Sequence, residues 1–234
     1  WITIGHNSIA EIMGKAGFDW LAIDMEHSPL SAAQCQELVR VIDLCGVAPL
    51  VRVGANDPLL IKRAMDAGAY GVIVPMINSR KDAEMAVKAV KYPPEGTRGV
   101  GLARAQGYGI SFNEYKKWLQ TESIVIAQIE HIQGVEHLDE IMEVEGIDAL
   151  MVGPYDLSGS LGVTGDFEHE KMLQALKKIQ TSAFKKKIPL GYHVVSSDPR
   201  LVEKKIKEGY TFIAFGVDFL FLGDNCRSGL KVLK

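Results

Sequence analysis

Residues 18–53, FDWLAIDMEHSPLSAAQCQELVRVIDLCGVAPLVRV, contain the pattern that decides the fold. Two short apolar runs, Trp20–Asp24 and Pro49–Val53, have the length and composition of buried strands. Between them, Ser31–Cys45 has the spacing of an amphipathic helix and is followed by Gly46, which can adopt the left-handed conformation at a helix end. Strand, helix and strand in this order are typical of two parallel strands joined by a crossover helix.

The same alternation extends over the rest of the chain. Further strand-like runs lie at Ile2–Ile4, Gly71–Val74, Ile124–Glu130, Asp148–Val152, Pro189–Val194 and Phe212–Val217. Amphipathic stretches predict helices at Pro58–Ala67, Lys81–Lys91, Val135–Val144, Lys171–Lys187 and Pro199–Lys207. Eight strands with crossover helices predict a single-domain TIM (β/α)8 barrel over residues 1–234, and an open doubly wound sheet is the alternative. Because Trp1 is an unusual first residue, we expect the numbered chain to begin inside a strand of a longer protein.

One connection is much longer than the others. Between predicted strands 4 and 5, Tyr92–Ser123 is rich in glycine, proline and arginine and ends with a short helical stretch, Phe112–Gln120. Long insertions within a compact domain are often functional or interface elements. We expect this insertion to form a wall of the substrate pocket, from the same or a neighbouring subunit, with Arg98 and Arg104 as readers of an acidic substrate.

The composition excludes several classes of protein. The chain has 234 residues, is 47% hydrophobic and has a formal net charge of −3, so it can bury a large core but has no basic stripe for nucleic acid. It contains no apolar stretch of the length needed to cross a membrane. Its three cysteines lack the spacing of metal ligands, which favours a reducing, cytoplasmic setting.

Polar residues cluster at the predicted carboxyl ends of the strands, where parallel barrels carry their chemistry. These residues are Asp24, His27, Arg52, Gln128, Glu130, Asp156 and His193. Buried charges on otherwise apolar strands need a partner or a metal ion. Glu130 and Asp156 are the best candidates for metal ligands, since two oxygen ligands with water and substrate suit Mg²⁺, Mn²⁺ or Co²⁺. The alternative is a structural ion pair between Glu130 and Arg52.

The residues after the second predicted strand suggest proton transfer. Asp24 and His27 lie three apart, so the carboxylate could orient the imidazole as a base, or the histidine could simply be satisfied in its loop. Glu26 is expected to face the opposite side and receives no role. Arg52 at the end of an apolar strand suits a bidentate grip on a substrate carboxylate. No lysine falls at a predicted strand end, which argues against Schiff-base chemistry.

These motifs resemble those of a known family. FDWLAIDMEHSP, LVRVGANDP, GAYGVIVPMINS, YPPEGTRGVG, IAQIE and MVGPYDLSGSLG occur in the order typical of the HpcH/HpaI aldolases, which include the class II, metal-dependent pyruvate aldolases. The resemblance runs from about Trp1 to Asp218. It implies a TIM barrel, and it implies dimers that exchange their C-terminal helices and assemble into hexamers.

The resemblance also implies a role for each site residue. Glu130 and Asp156 would bind the divalent metal, Arg52 would hold the pyruvate carboxylate and the developing enolate, and His27 supported by Asp24 would move the proton. The substrate-binding residues implied in addition are Gln128, Gly153, Pro154 and Tyr155. Ser28 and Tyr155 depart from the commonest pattern, and a bulky Tyr155 would narrow the mouth of the pocket.

The resulting functional prediction is a divalent-metal-dependent aldolase without an organic cofactor. It would reversibly cleave a 4-hydroxy-2-keto acid to pyruvate and an aldehyde through a metal-stabilised enolate. The alternatives are carbon–carbon chemistry on a CoA thioester or carboxylic acid, as in citrate- or malate-forming relatives, a sugar-phosphate isomerase or epimerase, and a non-catalytic barrel.

Overall fold

The computed structural model describes residues 1–233, in which seven strands form one parallel sheet in sequence order. The strands are β1 Trp20–Asp24, β2 Ala48–Arg52, β3 Gly71–Val74, β4 Ile124–Ile129, β5 Ala149–Val152, β6 Leu190–Val194 and β7 Phe212–Phe215. Each agrees within two residues with a strand predicted from the sequence.

Helices connect successive strands and cover the outer face of the sheet. They are α1 Asn7–Gly14, α2 Ala32–Leu44, α3 Pro58–Asp66, α4 Arg80–Val90, α5 Phe112–Thr121, α6 Ile132–Glu136, α7 Leu138–Ile141, α8 Pro154–Ser160, α9 Glu170–Lys186, α10 Pro199–Lys207 and α11 Asp218–Val232. Their starts follow local chemistry: Ser31 and Gln34 form a capping box before α2, and Asp57 accepts backbone N–H bonds before a proline at the start of α3. The helix predicted at Val135–Val144 is instead two short helices, α6 and α7.

The eighth strand expected at Ile2–Ile4 is reduced to one bridge between Ile2 and Ile23, so the described residues form a curled seven-stranded sheet and not a closed eight-stranded barrel. The physical reason is the carboxylate of Asp218. It accepts the backbone N–H groups of Thr3 and Ile4 at 2.8 and 2.7 Å, which takes these two residues out of the ladder.

The first two residues nevertheless bridge the two edges of the sheet. On one side, Ile2 donates its backbone N–H to the carbonyl of Ala22 at 2.8 Å. On the other side, the backbone nitrogen of Trp1 donates to the carbonyl of Gly216 at 3.1 Å, and the Trp1 carbonyl accepts from the backbone N–H of Asp218 at 3.1 Å. The curled sheet is therefore held together at both edges by backbone hydrogen bonds.

Apolar side chains fill both faces of the sheet, as expected when helices cover parallel strands. The inner cluster is formed by residues from most strands: Trp1, Ala22, Leu50, Ile73, Ile126, Ala149, Met151, Ala214 and Val217. The outer cluster lies between the sheet and the helices and is much larger. Within residues 1–233, no helix is long and apolar enough to cross a bilayer.

The long insertion lies at the amino end of the sheet, away from the predicted pocket of its own chain, and a place at the pocket of a neighbouring subunit stays a prediction. Arg104 donates to Asp43 near the end of α2 at 2.6 Å and to the carbonyl of Ala67 after α3 at 3.2 Å. Both partners precede strands, and the amino ends of parallel strands lie opposite the edge that carries catalytic groups. Within one chain, the insertion therefore closes the base of the sheet.

Arg98 is likewise an internal residue and does not face the predicted pocket of its own chain. Its buried guanidinium donates to the carbonyl of Val90 at 3.0 Å and to the hydroxyls of Tyr92 and Tyr115 at 3.0 and 2.8 Å. It also lies 3.5 Å from a carboxylate oxygen of Asp66 in α3. Arg98 thus fixes the insertion to the helical layer.

Candidate active site

An arginine–aspartate pair stands at the carboxyl edge of the sheet. Asp24 and Arg52 are register partners at the ends of β1 and β2, and both are buried. Nε of Arg52 donates to Oδ1 of Asp24 at 2.9 Å, and Nη2 donates to Oδ2 at 2.6 Å. Burial acts to raise the pKa of Asp24, but the hydrogen bonds and charge of Arg52 prevail and hold that pKa below its ordinary value.

The Asp24 carboxylate also fixes the loop that follows β1. Its Oδ1 accepts the backbone N–H groups of Glu26 and His27 at 3.0 and 3.2 Å. The predicted proximity of Asp24 and His27 is therefore present, but the contact is to the His27 backbone and the Asp24 side chain serves Arg52. The imidazole itself lies outside, with 62% of the His27 side chain exposed.

Glu130 is the buried carboxylate of the site and follows β4 directly. Oε1 accepts the backbone N–H of Met76 at 2.7 Å, and Oε2 accepts the amide of Gln128 at 2.5 Å. Burial raises the pKa of Glu130 to about 7, and the nearby charges of Glu26 and Asp156 contribute in the same direction. The anticipated alternative, an ion pair with Arg52, is not formed, because Arg52 is bound to Asp24 and Glu26 instead.

A glycine makes room for this carboxylate. Gly153 lies between β5 and α8, and a Cβ atom there would approach Oε2 and Cβ of Glu130 to 2.8 and 2.9 Å. Contacts this short do not occur between real Cβ atoms and their neighbours. The absence of a side chain at position 153 is thus what permits the Glu130 carboxylate to occupy its place.

The start of α8 carries the other predicted residues of this region. Asp156 lies in the first turn of α8 and is exposed, while Pro154 at the first helical position is buried and Tyr155 is half exposed. The Tyr155 ring packs edge-on against Phe167 with 4.9 Å between centroids. Asp156 influences the pKa of both Glu130 and Glu26, so the three carboxylates share one electrostatic environment.

Glu26 is a candidate site residue that the sequence analysis missed. Its side chain turns towards the site and places Oε2 3.4 Å from Nη1 of Arg52 and 3.9 Å from Nε2 of His27. Burial raises the pKa of Glu26, with the Arg52 charge opposing the shift. Strand alternation predicted the opposite face, but it no longer applies after β1 ends, where the hydrogen bonds to Asp24 turn the chain.

His193 lies inside the sheet in an apolar setting. Its ring is 4.9 Å from that of Trp1, which in turn stacks on the Arg52 guanidinium at 4.6 Å. Burial lowers the pKa of His193 well below its usual range, so the ring is neutral. Its Nε2 is buried and has no hydrogen-bond partner within residues 1–233.

The donor set fits a hard divalent cation with open coordination positions. In the part of the chain that the structure describes, no three His, Cys, Asp or Glu side chains converge as a metal cage. Glu130 is buried beside other carboxylates and its hydrogen-bond partners are neutral N–H donors, so no cationic side chain among residues 1–233 pairs with this carboxylate. Glu130 and Asp156 could supply two oxygen ligands and leave the remaining positions to water and substrate.

Comparisons with known proteins place the whole chain in one group. The profile of the HpcH/HpaI aldolase/citrate lyase family matches residues 1–223. The 2-dehydro-3,6-dideoxy-6-sulfogluconate aldolase of Pseudomonas putida is 37% identical, over 100% of this chain and 91% of that protein. The hydroxypyruvate/pyruvate aldolase of Roseobacter denitrificans is 34% identical over 97% and 89% of the two chains, and the 5-keto-4-deoxy-D-glucarate aldolase of Escherichia coli is 35% identical over 93% and 84%.

Solved structures give the same grouping. An HpcH/HpaI aldolase/citrate lyase family protein from Burkholderia cenocepacia superposes with a TM-score of 0.94 at 33% identity, over 100% of this chain and 92% of that one. The HpcH/HpaI aldolase of Desulfitobacterium hafniense has a TM-score of 0.90 at 30% identity, with coverage of 99% and 89%. The citrate synthase SbnG has a TM-score of 0.87 at 25% identity, with coverage of 99% and 90%.

Proposed function

Because the chain belongs to the HpcH/HpaI aldolase/citrate lyase family and is an enzyme of that family, we propose that it is a class II pyruvate aldolase. It reversibly cleaves a 4-hydroxy-2-keto acid to pyruvate and an aldehyde. The observation that carries the proposal is the buried Arg52–Asp24 fork standing at the same edge of the sheet as the buried Glu130 carboxylate. The aldolases named among its relatives support the same chemistry.

Glu130 and Asp156 would hold a divalent cation, with Mg²⁺, Mn²⁺ or Co²⁺ suited to their oxygen ligands. When bound, the cation supplies a Lewis acid that polarises the keto group and stabilises negative charge on its oxygen. Met76 and Gln128 donate to the two oxygens of Glu130 and so fix the direction of its remaining lone pairs. Gln128 stands next to the substrate in this arrangement.

Arg52 binds the substrate carboxylate. Nε and Nη2 are taken by Asp24, so the guanidinium plane is fixed and Nη1 remains the least committed nitrogen, 3.4 Å from Glu26. A guanidinium that is already fixed in position binds a carboxylate at low entropic cost. Its positive charge also stabilises the negative charge that develops on the enolate in the transition state. The peptide groups of Gly153, Pro154 and Tyr155 form the neighbouring wall.

His27 moves the proton in this proposal. Its exposed imidazole at the rim can take the proton of the C4 hydroxyl during cleavage and return it to the aldehyde oxygen during condensation. Tyr155, whose ring packs edge-on against Phe167, would narrow the space for the aldehyde.

We also propose that residues 1–234 form one (β/α)8 catalytic domain in which the first residues take the place of the eighth strand. The hydrogen bonds of Trp1 and Ile2 to both sheet edges support this arrangement. The cytoplasmic setting inferred from the cysteines stays a prediction.

The assembly proposed for this chain is a dimer-based hexamer with exchanged C-terminal helices. In α11, the first residue, Asp218, is buried, whereas Phe219, Leu222 and Leu230 are 50 to 58% exposed. Phe215 of β7 is also only partly buried. An apolar helix and an incompletely covered strand are complementary surfaces for a second copy of the chain.

The second candidate function is carbon–carbon bond chemistry of the citrate type. The similarity to the citrate synthase SbnG, at 25% identity over nearly the whole chain, favours it as the rival. A carboxylic acid enolate could use the same Arg52, Glu130 and Asp156.

Exchange of the pyruvate methyl protons with deuterium, followed by NMR, tests the proposal. Protein treated with EDTA should not exchange, and addition of Mg²⁺ or Mn²⁺ should start the exchange in proportion to enzyme. A lack of exchange with any divalent metal would contradict the pyruvate assignment. Turnover of acetyl-CoA or a carboxylic acid in its place would identify the citrate-type rival.

A further inference from the structure

The carboxylate that could orient His27 is not the one that the motif suggests. Asp24 gives both carboxylate oxygens to Arg52, and its Oδ1 also accepts two backbone N–H groups. Within residues 1–233, the imidazole of His27 has no hydrogen bond from its ring nitrogens to Asp24. A base of this kind still needs a group that fixes its orientation and stabilises its protonated form.

Glu26 is close enough to orient the His27 imidazole, and one of its carboxylate oxygens is available as a hydrogen-bond acceptor. Its Oε2 is buried, accepts no hydrogen bond within the described residues, and lies 3.9 Å from Nε2 of His27. The separation exceeds a direct hydrogen bond, and contacts of this kind often tighten when substrate binds. Asp24 accepts a hydrogen bond from the Glu26 backbone N–H, which holds the main chain of Glu26 in place. The exposed His27 imidazole can move towards the Glu26 carboxylate.

We infer that Glu26 is a positioning residue that orients the His27 imidazole for proton transfer, while Asp24 serves as the anchor of Arg52. The inference rests on the proposed function, because it assigns a partner to the proton carrier of that reaction. It separates two neighbouring carboxylates by role: Glu26 acts on the proton step, and Asp24 acts on the binding of the substrate carboxylate.

The charges around Glu26 are consistent with this assignment. Burial raises the pKa of Glu26, and Arg52, the one cationic group in contact with its carboxylate among the described residues at 3.4 Å, opposes that rise and favours the ionised form. Asp24, Asp156 and Glu130 face the same region with negative charge. An ionised Glu26 carboxylate would stabilise positive charge on the neighbouring His27 imidazole.

A double-mutant cycle tests the inference. Glu26→Gln keeps the size of the side chain and removes its charge. It should lower kcat for cleavage of a 4-hydroxy-2-keto acid on the order of 10- to 100-fold, part of the contribution of a positioned base, and leave KM within about threefold. In a His27→Ala background, the same change should add less than about threefold, because the group that Glu26 orients is already gone.

Two further readouts make the cycle decisive. The ¹⁵N resonance of His27 Nε2 should shift in Glu26→Gln, and Mn²⁺ affinity measured by EPR should stay within about threefold of the parent. Glu37→Gln is the matched control, since Glu37 forms an exposed pair with Arg40 on α2. If Glu26→Gln fails to fold by circular dichroism, Glu26→Asp keeps the charge, shortens the reach and should show the same coupling to His27.

Specific outcomes would overturn the inference. Independent, multiplicative losses in the cycle would show that Glu26 does not act through His27. A rise in KM with unchanged kcat would make Glu26 a partner of Arg52, and a large loss of Mn²⁺ affinity would make it a metal ligand. The ¹⁵N readout requires no turnover, so an unshifted His27 resonance contradicts the inference even if the pyruvate exchange assay disproves the aldolase proposal itself.

Discussion

At the scale of single residues, the candidate site combines a buried ion pair with a buried carboxylate that has hydrogen bonds but no charged partner. Arg52 and Asp24 are buried together and neutralise each other through two hydrogen bonds. Glu130 is equally buried, but its direct partners are an amide and a backbone N–H. The uncompensated charge of Glu130 is the feature that a bound cation would relieve.

Metal affinity should therefore depend on pH through Glu130. Burial raises the pKa of Glu130 to about 7, so below that pH a cation must displace a proton from the metal-free protein. We expect the Mn²⁺ association constant to rise with pH by up to about tenfold per unit below pH 7 and to level off above it. Isothermal titration calorimetry between pH 5.5 and 8 measures this slope.

The control for this prediction is Glu130→Gln, which keeps the size of the side chain but removes its negative charge. This variant should bind Mn²⁺ weakly at every pH. A parent protein whose affinity is flat between pH 5.5 and 7 would show that no group with a raised pKa is deprotonated on binding.

At the scale of elements, the turn from β5 to α8 determines whether Glu130 can take its place. Gly153→Ala puts a Cβ 2.8 Å from Oε2 of Glu130, so the carboxylate must move. We expect Mn²⁺ affinity and pyruvate exchange to fall on the order of 10- to 100-fold. EPR titration and the NMR exchange assay measure the two effects.

Gly159→Ala, within the adjoining helix α8, is the matched change, because its Cβ would have Thr164 Oγ1 at 3.7 Å as its nearest neighbour, an ordinary contact. This variant should keep both properties. Equal losses in the two variants would attribute the effect to α8 as a whole and not to the space needed by Glu130.

The insertion after α4 gives a prediction about stability alone. Arg98→Met removes the buried donor shared by Val90, Tyr92 and Tyr115 and leaves the Asp66 carboxylate without its cation. We expect the free energy of unfolding to fall by about 2–4 kcal/mol. Urea denaturation measures the change, and activity per folded molecule should stay the same.

Arg80→Met is the surface counterpart, since Arg80 pairs with Glu143 at 2.7 Å in an exposed setting. That change should cost less than about 1 kcal/mol. A loss of turnover in folded Arg98→Met without a loss of stability would instead return Arg98 to the substrate pocket of a neighbouring subunit.

At the scale of the whole molecule, α11 is the part that a single chain leaves incompletely packed. Leu222 is 57% exposed in the middle of this helix. Leu222→Asp places a charge on the apolar surface and should shift the sedimentation coefficient from an oligomer to smaller species. Leu44→Asp, at another exposed leucine, on α2, is the control. An oligomer that survives Leu222→Asp would place the subunit interface elsewhere.

Much of the fold was predictable because it depends on local patterns. Seven of the eight predicted strands are present, since β-branched and apolar runs between capped helices are readable without knowledge of the partner strand. The family resemblance was confirmed by the comparisons over residues 1–223. The roles predicted for the site residues stay predictions, although the structure brings Asp24, Arg52, Gln128 and Glu130 to one edge.

What the sequence by itself determined is the order of strands and helices, and with it the edge at which the polar residues stand. In a parallel sheet the carboxyl ends of all strands lie on the same side. The position of a residue relative to its strand is therefore sufficient to predict the edge at which it stands. Only the tertiary structure decided which charges meet: Asp24 binds Arg52, Glu26 turns into the site, and Arg98 is buried in the insertion. The physical reason is that ion pairs and burial depend on distances across elements, which neither spacing nor periodicity along a chain encodes.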